Sequence, residues 1–455
     1  MSVESLSIDD LVAYFSDAAT PRSDWLVGTE HEKIGVYLAS DATRGAPPLP
    51  FARVPYEGDA GIGALLERIA VEDDWERVLE GENVIALKKD GASITLEPGG
   101  QMELSGAPLV TTRETCAEFT EHLDLTKRIS RDMEIVWLAL GADPFHSISQ
   151  IPHMPKARYD IMRNYLPTRG RLALHMMHAT ATVQANYDYS DEADMVAKMR
   201  TAMGCTPIVS ALFANSSIVE GGESGFISQR VEVWRQMDSD RCGLLPFVFE
   251  RDFGYREYAE WAVEVPMFFL VRGQQYIAAK GVTFQQFIQH GIGEHRATLE
   301  DWDLHLTTVF PEVRLKRFIE VRGADCGPKE LICALPALWK GLLYDRAAGE
   351  AAFELVRGWT PEIRDQALAS AARLGLAGRA GGSSLLELAR EIVDIAAAGL
   401  ARIAEEGGLG PDERGFLDPL RALLEAGMSP GEAVLAKWRG EWNQSPERLV
   451  EYARY

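Results

Sequence analysis

The chain has 455 residues, 46% of them hydrophobic and 25% charged. That supports a large packed core, in two or three structural units or one large catalytic domain with an addition, and excludes wholesale disorder. The formal net charge of −22 excludes nucleic acid as the main partner, because phosphate binding wants a basic face; it still allows an anionic substrate in a locally positive or metal-loaded cleft.

In chain order, residues 7–18 and 62–80 read as amphipathic helices, with a strand over 25–38 and a Pro- and Gly-rich loop over 42–50 between them. Residues 91–104 show two short alternating runs around Pro98-Gly99-Gly100, a hairpin signal. Residues 111–139 suit one long helix, 171–190 end in an alternating strand, and 191–216 return to helix with acids at its start. A further strand is predicted within 313–325. From about 346, Ala, Leu, Glu and Arg dominate with helical periodicity to Tyr455. The division predicted is 1–345 for a catalytic body and 346–455 for an α-helical region packed on it.

Five cysteines, Cys116, Cys205, Cys242, Cys326 and Cys333, are scattered without CxxC spacing, which argues against a disulfide framework or structural zinc site. The opening residues lack a basic region followed by an apolar run. No stretch approaches about 20 continuous apolar residues, so neither a secretion signal nor a membrane span is expected. A cytoplasmic location is expected.

Strands put residues i and i+2 on one face. Glu30 and Glu32 therefore share a face. Ser93, Thr95 and Glu97 share one in the hairpin, followed after the turn by Gln101 and Glu103. Thr180, Thr182, Gln184, Asn186 and Asp188 alternate with Ala181, Val183, Ala185 and Tyr187. Lys316, Glu320 and Arg322 oppose Ile319 and Val321. One such strand alone reads as a solvated face. Four faces that concentrate Glu, Gln and Asn read differently, because neighbouring like charges repel unless a cation lies among them. Glu30, Glu32, Glu97, Glu103 and Glu320 are hard oxygen ligands of the kind Mg²⁺ prefers beside phosphate oxygens. Lys33 and Arg322 are then candidates for phosphate contacts. His31 falls on the opposite face from the acids, and His175 and His178 lack an acidic partner at metal spacing. His175 and His178 read as structural, and Trp234 and Tyr187 as core or pocket wall.

GTEHEKIG (28–35), LEPGGQMELSGAPL (96–109), MRNYLP (162–167), ATVQANYDYSDEADM (181–195), ALFANSSIVEG (211–221), DRCGLLPFVFE (240–250) and TTVFPEVRLKRFIEVRGAD (307–325) resemble the glutamate–cysteine ligases of plants and many proteobacteria. The resemblance runs in order from about residue 20 to about 345. It implies an α+β fold: a glutamine-synthetase-like antiparallel sheet funnel with packed helices. It implies ATP- and Mg²⁺-dependent ligation of the glutamate γ-carboxylate to the cysteine amine through an acyl phosphate. The five glutamates match the family's metal-binding acids, with Gln184 and Asn186 nearby. Arg163 and Arg230 match the arginines that grip substrate glutamate, and Arg322 a basic residue near the phosphates. The implied partners are small molecules, in a monomer or homodimer. Cys116 and Cys333 fall in segments where plant members also carry cysteine, while Ala279 replaces a plant cysteine. The pair is expected either within bonding reach, with Cα atoms under about 7 Å apart, or as two buried thiols. Three alternatives remain: a related ligase with another amine acceptor, a catalytically silent nucleotide-binding protein, and a helical scaffold resting on 346–455 alone.

Overall fold

The computed structural model describes residues 6–38 and 51–455, so the loop expected at 42–50 lies outside the described residues. Among these, the largest sheet has nine strands: β1 (Val27–Tyr37), β2 (Glu76–Glu80), β3 (Asn83–Lys89), β4 (Ala92–Leu96), β5 (Met102–Ser105), β6 (Ile135–Leu138), β7 (Thr182–Tyr187), β8 (Val313–Leu315) and β9 (Ile319–Asp325). Their order is β8-β9-β7-β1-β5-β4-β3-β2, with β6 joined to β1 and every pairing antiparallel. β1 is central because it is long enough to pair β7 and β5 in its first part and β6 in its second.

The helices of the body are α1 (Ile8–Ser16), α2 (Ile62–Glu72), α3 (Thr112–Arg131), α4 (Ala157–Tyr165), α5 (Ala173–Ala179), α6 (Glu192–Leu212), α7 (Gln229–Arg235), α8 (Tyr255–Glu264), α9 (Phe284–His290), α10 (Leu299–Leu306) and α11 (Lys329–Leu343). One face of the sheet is covered by α3, α6 and α11. There His31 meets Phe119 of α3 edge-on at 4.5 Å, and Tyr187 donates to Pro336 O of α11 at 2.9 Å. No helix of the described residues is long and apolar enough to cross a membrane.

Two expected helices are shorter than their periodicity suggested. The helix expected over 62–80 stops at Glu72; Asp74 turns with φ 53° and the chain continues as β2. The helix expected over 111–139 stops at Arg131; Glu134 turns with φ 57°, and Ile135–Leu138 forms β6. A four-residue apolar run has no helical or strand signature of its own. Here the free length of β1 decides, pairing Ile34 with Leu138 and Tyr37 with Ile135.

From residue 346 the chain is mainly helical: α12 (Arg346–Val356), α13 (Pro361–Leu374), α14 (Leu385–Glu406), α15 (Asp418–Ala426), α16 (Pro430–Arg439) and α17 (Pro446–Ala453). One hydrophobic core runs from Leu11 through the sheet to Ala453. The end of the chain returns to the sheet, where Ala139 N donates to Ala453 O at 2.8 Å and Tyr455 N to Trp137 O at 3.0 Å.

Cys116 of α3 and Cys333 of α11 form a disulfide, with Cα atoms 5.4 Å apart and 217 residues between them in sequence. That decides the alternative left open for the pair. A bridge this distant leaves no short-range spacing, which is why scattered cysteines argued against any framework. Cys205 and Cys326 are buried free thiols, and Cys242 is half-buried.

Candidate active site

Register on β1 sets the composition of the open face. Glu32 stands opposite Glu103 of β5, and Glu103 opposite Thr95 of β4. Glu30 stands opposite Ser105 on one side and Gln184 of β7 on the other. Asn186 stands opposite Glu320 of β9, and Glu320 opposite Arg314 of β8. Glu97 follows β4 directly, at the turn where Gly100 N donates to Glu97 O at 2.8 Å; Gly100 has φ 79°, a conformation glycine adopts without strain. All five expected acids thus meet on one face.

Four of the acids have no basic side chain bonded to them among the described residues. Glu30 accepts from Asn186 Nδ2 at 3.2 Å, and Glu32 from Thr182 N at 3.1 Å. Glu103 accepts from Ser105 Oγ at 2.8 Å and Thr95 Oγ1 at 3.2 Å. Burial first, then Glu320 and Glu103, push the Glu30 carboxyl up to about 7. Burial, Glu97 and Glu103 raise Glu32 well above the usual carboxylate range, and burial with Glu97 raises Glu103. Among the described residues, no three His, Cys, Asp or Glu side chains already close around a point where an ion could sit. The acids form a wall rather than a finished ligand set, as mutually repelling carboxylates do.

Glu320 differs. It is fully buried and accepts from Arg314 through both oxygens at 2.8 Å, from Lys316 Nζ at 3.1 Å, and from Arg322. Burial works to raise its carboxyl, but Arg314, Lys316 and Arg322 overcome it and hold the group well below the ordinary range. It joins the acidic wall to a basic one. Arg322 also donates to Gln184 Oε1 at 2.7 Å, and its backbone O accepts from Arg230 Nη2 at 3.0 Å. Arg230 and Arg322 both lie over the Trp234 ring, at 5.6 and 5.7 Å. Glu32, Glu97, Gln184, Arg230, Trp234 and Arg322 line one cavity of about 80 Å³.

Two expected residues are placed elsewhere. Lys33 is on the opposite face, fully buried, with Nζ 2.6 Å from His122 Nε2 and over the Trp137 ring. Burial pushes its ammonium down to about 7. The expected phosphate contact is therefore corrected: strand parity that joins Glu30 to Glu32 sends Lys33 behind the sheet. Arg163 of α4 pairs with Asp160 on its own helix; its Nη1 is buried without a partner among the described residues, and the neighbouring Met162, not Arg163, reaches the cavity. His31 and His178 are buried, and His175 is half-buried. His31 Nε2 meets the Tyr455 hydroxyl at 3.0 Å, and His178 stacks on His153.

Three contributors escaped the sequence reading. Arg314 lies two residues before Lys316, so the same parity rule would have placed it beside Glu320. Lys156 and Arg158 flank the turn after β4: Lys156 donates to Leu96 O at 2.8 Å, and burial, then Arg158, push it down to about 7 despite Glu97 and Glu103. They sit just before the MRNYLP motif.

The donor set fits Mg²⁺. It consists of carboxylates, joined by the amide oxygen of Asn186, which is buried and has no hydrogen-bond partner among the described residues. Acids on one sheet face beside an arginine-lined cavity are the arrangement that the sequence resemblance to carboxylate–amine ligases implies. Residues 26–452 match the model of glutamate–cysteine ligase family 2. The chain is 42% identical to the chloroplastic glutamate–cysteine ligase of Arabidopsis thaliana, over 100% of this chain and 84% of that protein. It is 40% identical to that of Solanum lycopersicum over the same shares, and 40% identical to chloroplastic ligase B of Oryza sativa subsp. japonica over 99% and 88%. In structure it resembles the glutamate–cysteine ligase of Francisella tularensis in complex with AMP, with a TM-score of 0.55 and 11% identity over 94% of this chain and 87% of that one, a likeness of fold. The chain belongs to glutamate–cysteine ligase family 2, and its reaction joins glutamate to cysteine. The expectation of a cytoplasmic location is corrected: these relatives are named chloroplastic, and the scattered cysteines on which it partly rested include a bonded pair.

Proposed function

We propose that the acidic wall of Glu30, Glu32, Glu97 and Glu103, with Glu320 at its edge, holds two or more Mg²⁺ ions beside ATP, while the basic wall holds glutamate and the transferring phosphoryl group. The observation that carries this is the set of four recessed carboxylates with no cationic side chain bonded to them among the described residues, next to a cavity lined by arginines. Bound Mg²⁺ would supply the positive charge that screens repulsion between the substrate carboxylate and the γ-phosphate.

The roles of this chain's residues follow from position. Arg230 presents a planar fork at the cavity, suited to a glutamate carboxylate. Arg322 stands between Glu320 and Gln184, so its charge faces the phosphoryl group. Gln184 and Asn186 orient the substrate between the walls. The γ-carboxylate oxygen attacks the γ-phosphorus and ADP leaves. The neutral cysteine amine then attacks the acyl carbon, phosphate leaves, and the nitrogen's surplus proton passes to the departing phosphate. No protein nucleophile is required, because activation occurs on the substrate; positioning three reactants supplies much of the rate.

Sustained ADP release should require glutamate, cysteine and Mg²⁺ together. Release that needs glutamate but is indifferent to cysteine would remove cysteine as the acceptor in this cavity.

A further inference from the structure

Arg53 lies outside every role described so far, yet its guanidinium joins two segments that carry site residues. Nη2 donates to Gly99 O, in the turn that carries Glu97. Nη1 donates to His178 O at 3.4 Å, on the segment leading into β7, and to Asp143 Oδ2 at 2.8 Å. The Arg53 and Asp143 side chains are 1% and 0% exposed, so water does not compete for the pair.

Neighbouring contacts make this a fixed junction. Asp143 Oδ1 accepts from Phe145 N at 2.8 Å, His146 N at 3.0 Å and His146 Nδ1 at 3.0 Å, which fixes the anion that aims Arg53. Gln101 adds a second tie, its Nε2 donating to Thr180 O at 2.8 Å while its Oε1 accepts from Gly99 N at 3.1 Å. The turn and the segment lie so close that a Cβ on Gly99 would come within 2.3 Å of His178 O. Two residues after Thr180, Thr182 N donates to Glu32. A continuous path of hydrogen bonds and short backbone links thus runs from the Glu97 turn through Arg53 and Gln101 to Glu32.

We infer that Arg53 is a positioning residue for metal binding: by fixing the Glu97 turn against the start of β7, it sets the separation of Glu97 from Glu32. Supports of this kind, one layer behind the ligands, change metal affinity roughly 10–100-fold when altered. Lysine keeps the charge but lacks the planar fork needed to reach Gly99 O, His178 O and Asp143 together. The inference rests on the Mg²⁺ reading given above.

The test is a thermal-stability titration of the full chain with Mg²⁺ alone, for wild type and Arg53→Lys, together with steady-state kinetics. The Mg²⁺ concentration giving half-maximal stabilisation should rise roughly tenfold or more in Arg53→Lys. kcat should fall, while the glutamate KM changes less than about twofold. A folded Arg53→Lys with wild-type half-saturation would overturn the inference and leave the metal reading intact. Failure of Mg²⁺ to stabilise even the wild type would instead reject the metal reading, and this inference with it. If Arg53→Lys does not fold, Gln101→Leu releases the same turn from its other tie: a similar rise supports the inference, and wild-type half-saturation overturns it.

Discussion

Glu103→Gln is expected to lower kcat roughly a thousandfold while the protein remains folded, as the loss of one preorganised charge-stabilising group at a reacting centre does. The reason lies in where Glu103 stands. It faces Glu32 across the β1–β5 ladder, and burial, then Glu97, raise its carboxyl. Glutamine keeps the volume and can still accept from Ser105 and Thr95. Folding should not suffer, because one member of a repelling set becomes neutral; without Mg²⁺, the melting temperature should hold or rise. With Mg²⁺ the order should reverse, the wild type gaining more than the variant. Near-normal turnover in Glu103→Gln would contradict its assignment to the metal-binding wall.

Arg230→Ala is expected to raise the glutamate KM roughly 10–100-fold, the range for losing a charge-assisted hydrogen bond to a carboxylate. The ATP KM should change less than about threefold, as expected for removal of an interaction confined to one substrate. Arg230 is 3% exposed, so truncation also costs stability. Arg230→Lys separates the two effects: it keeps the charge and most of the volume but loses the planar fork, so part of the KM rise should persist in a stable protein. Equal effects on both substrates would place Arg230 outside the glutamate pocket.

Much of this site was legible because strands encode facing in a period of two. Glu30 with Glu32, and Gln184 with Asn186, are assigned to one side by parity alone, and Pro98-Gly99-Gly100 marks the turn that brings Glu97 and Glu103 together. What parity does not supply is the register that sets Glu32 against Glu103 and Glu320 against Arg314; that depends on pairings between segments far apart in sequence. Lys33 was misplaced because its charge suggested phosphate, although the same parity excludes it from the acidic face. Arg163 could not be placed from sequence because whether a helical arginine faces a cavity or pairs with an acid three residues before it depends on how the helix packs. The Cys116–Cys333 bridge and the short strand β6 were illegible locally: each is decided by a partner distant in sequence.

The acidic wall itself is tested most directly by counting ions. Equilibrium dialysis with Mg²⁺ and a non-hydrolysable ATP analogue, on wild type and on Glu32→Gln/Glu103→Gln, measures occupancy without relying on turnover. At least two ions per chain are expected for the wild type, with at least one lost in the double variant. Equal occupancy in both proteins, or none in the wild type, would contradict the proposal that these carboxylates converge to hold metal.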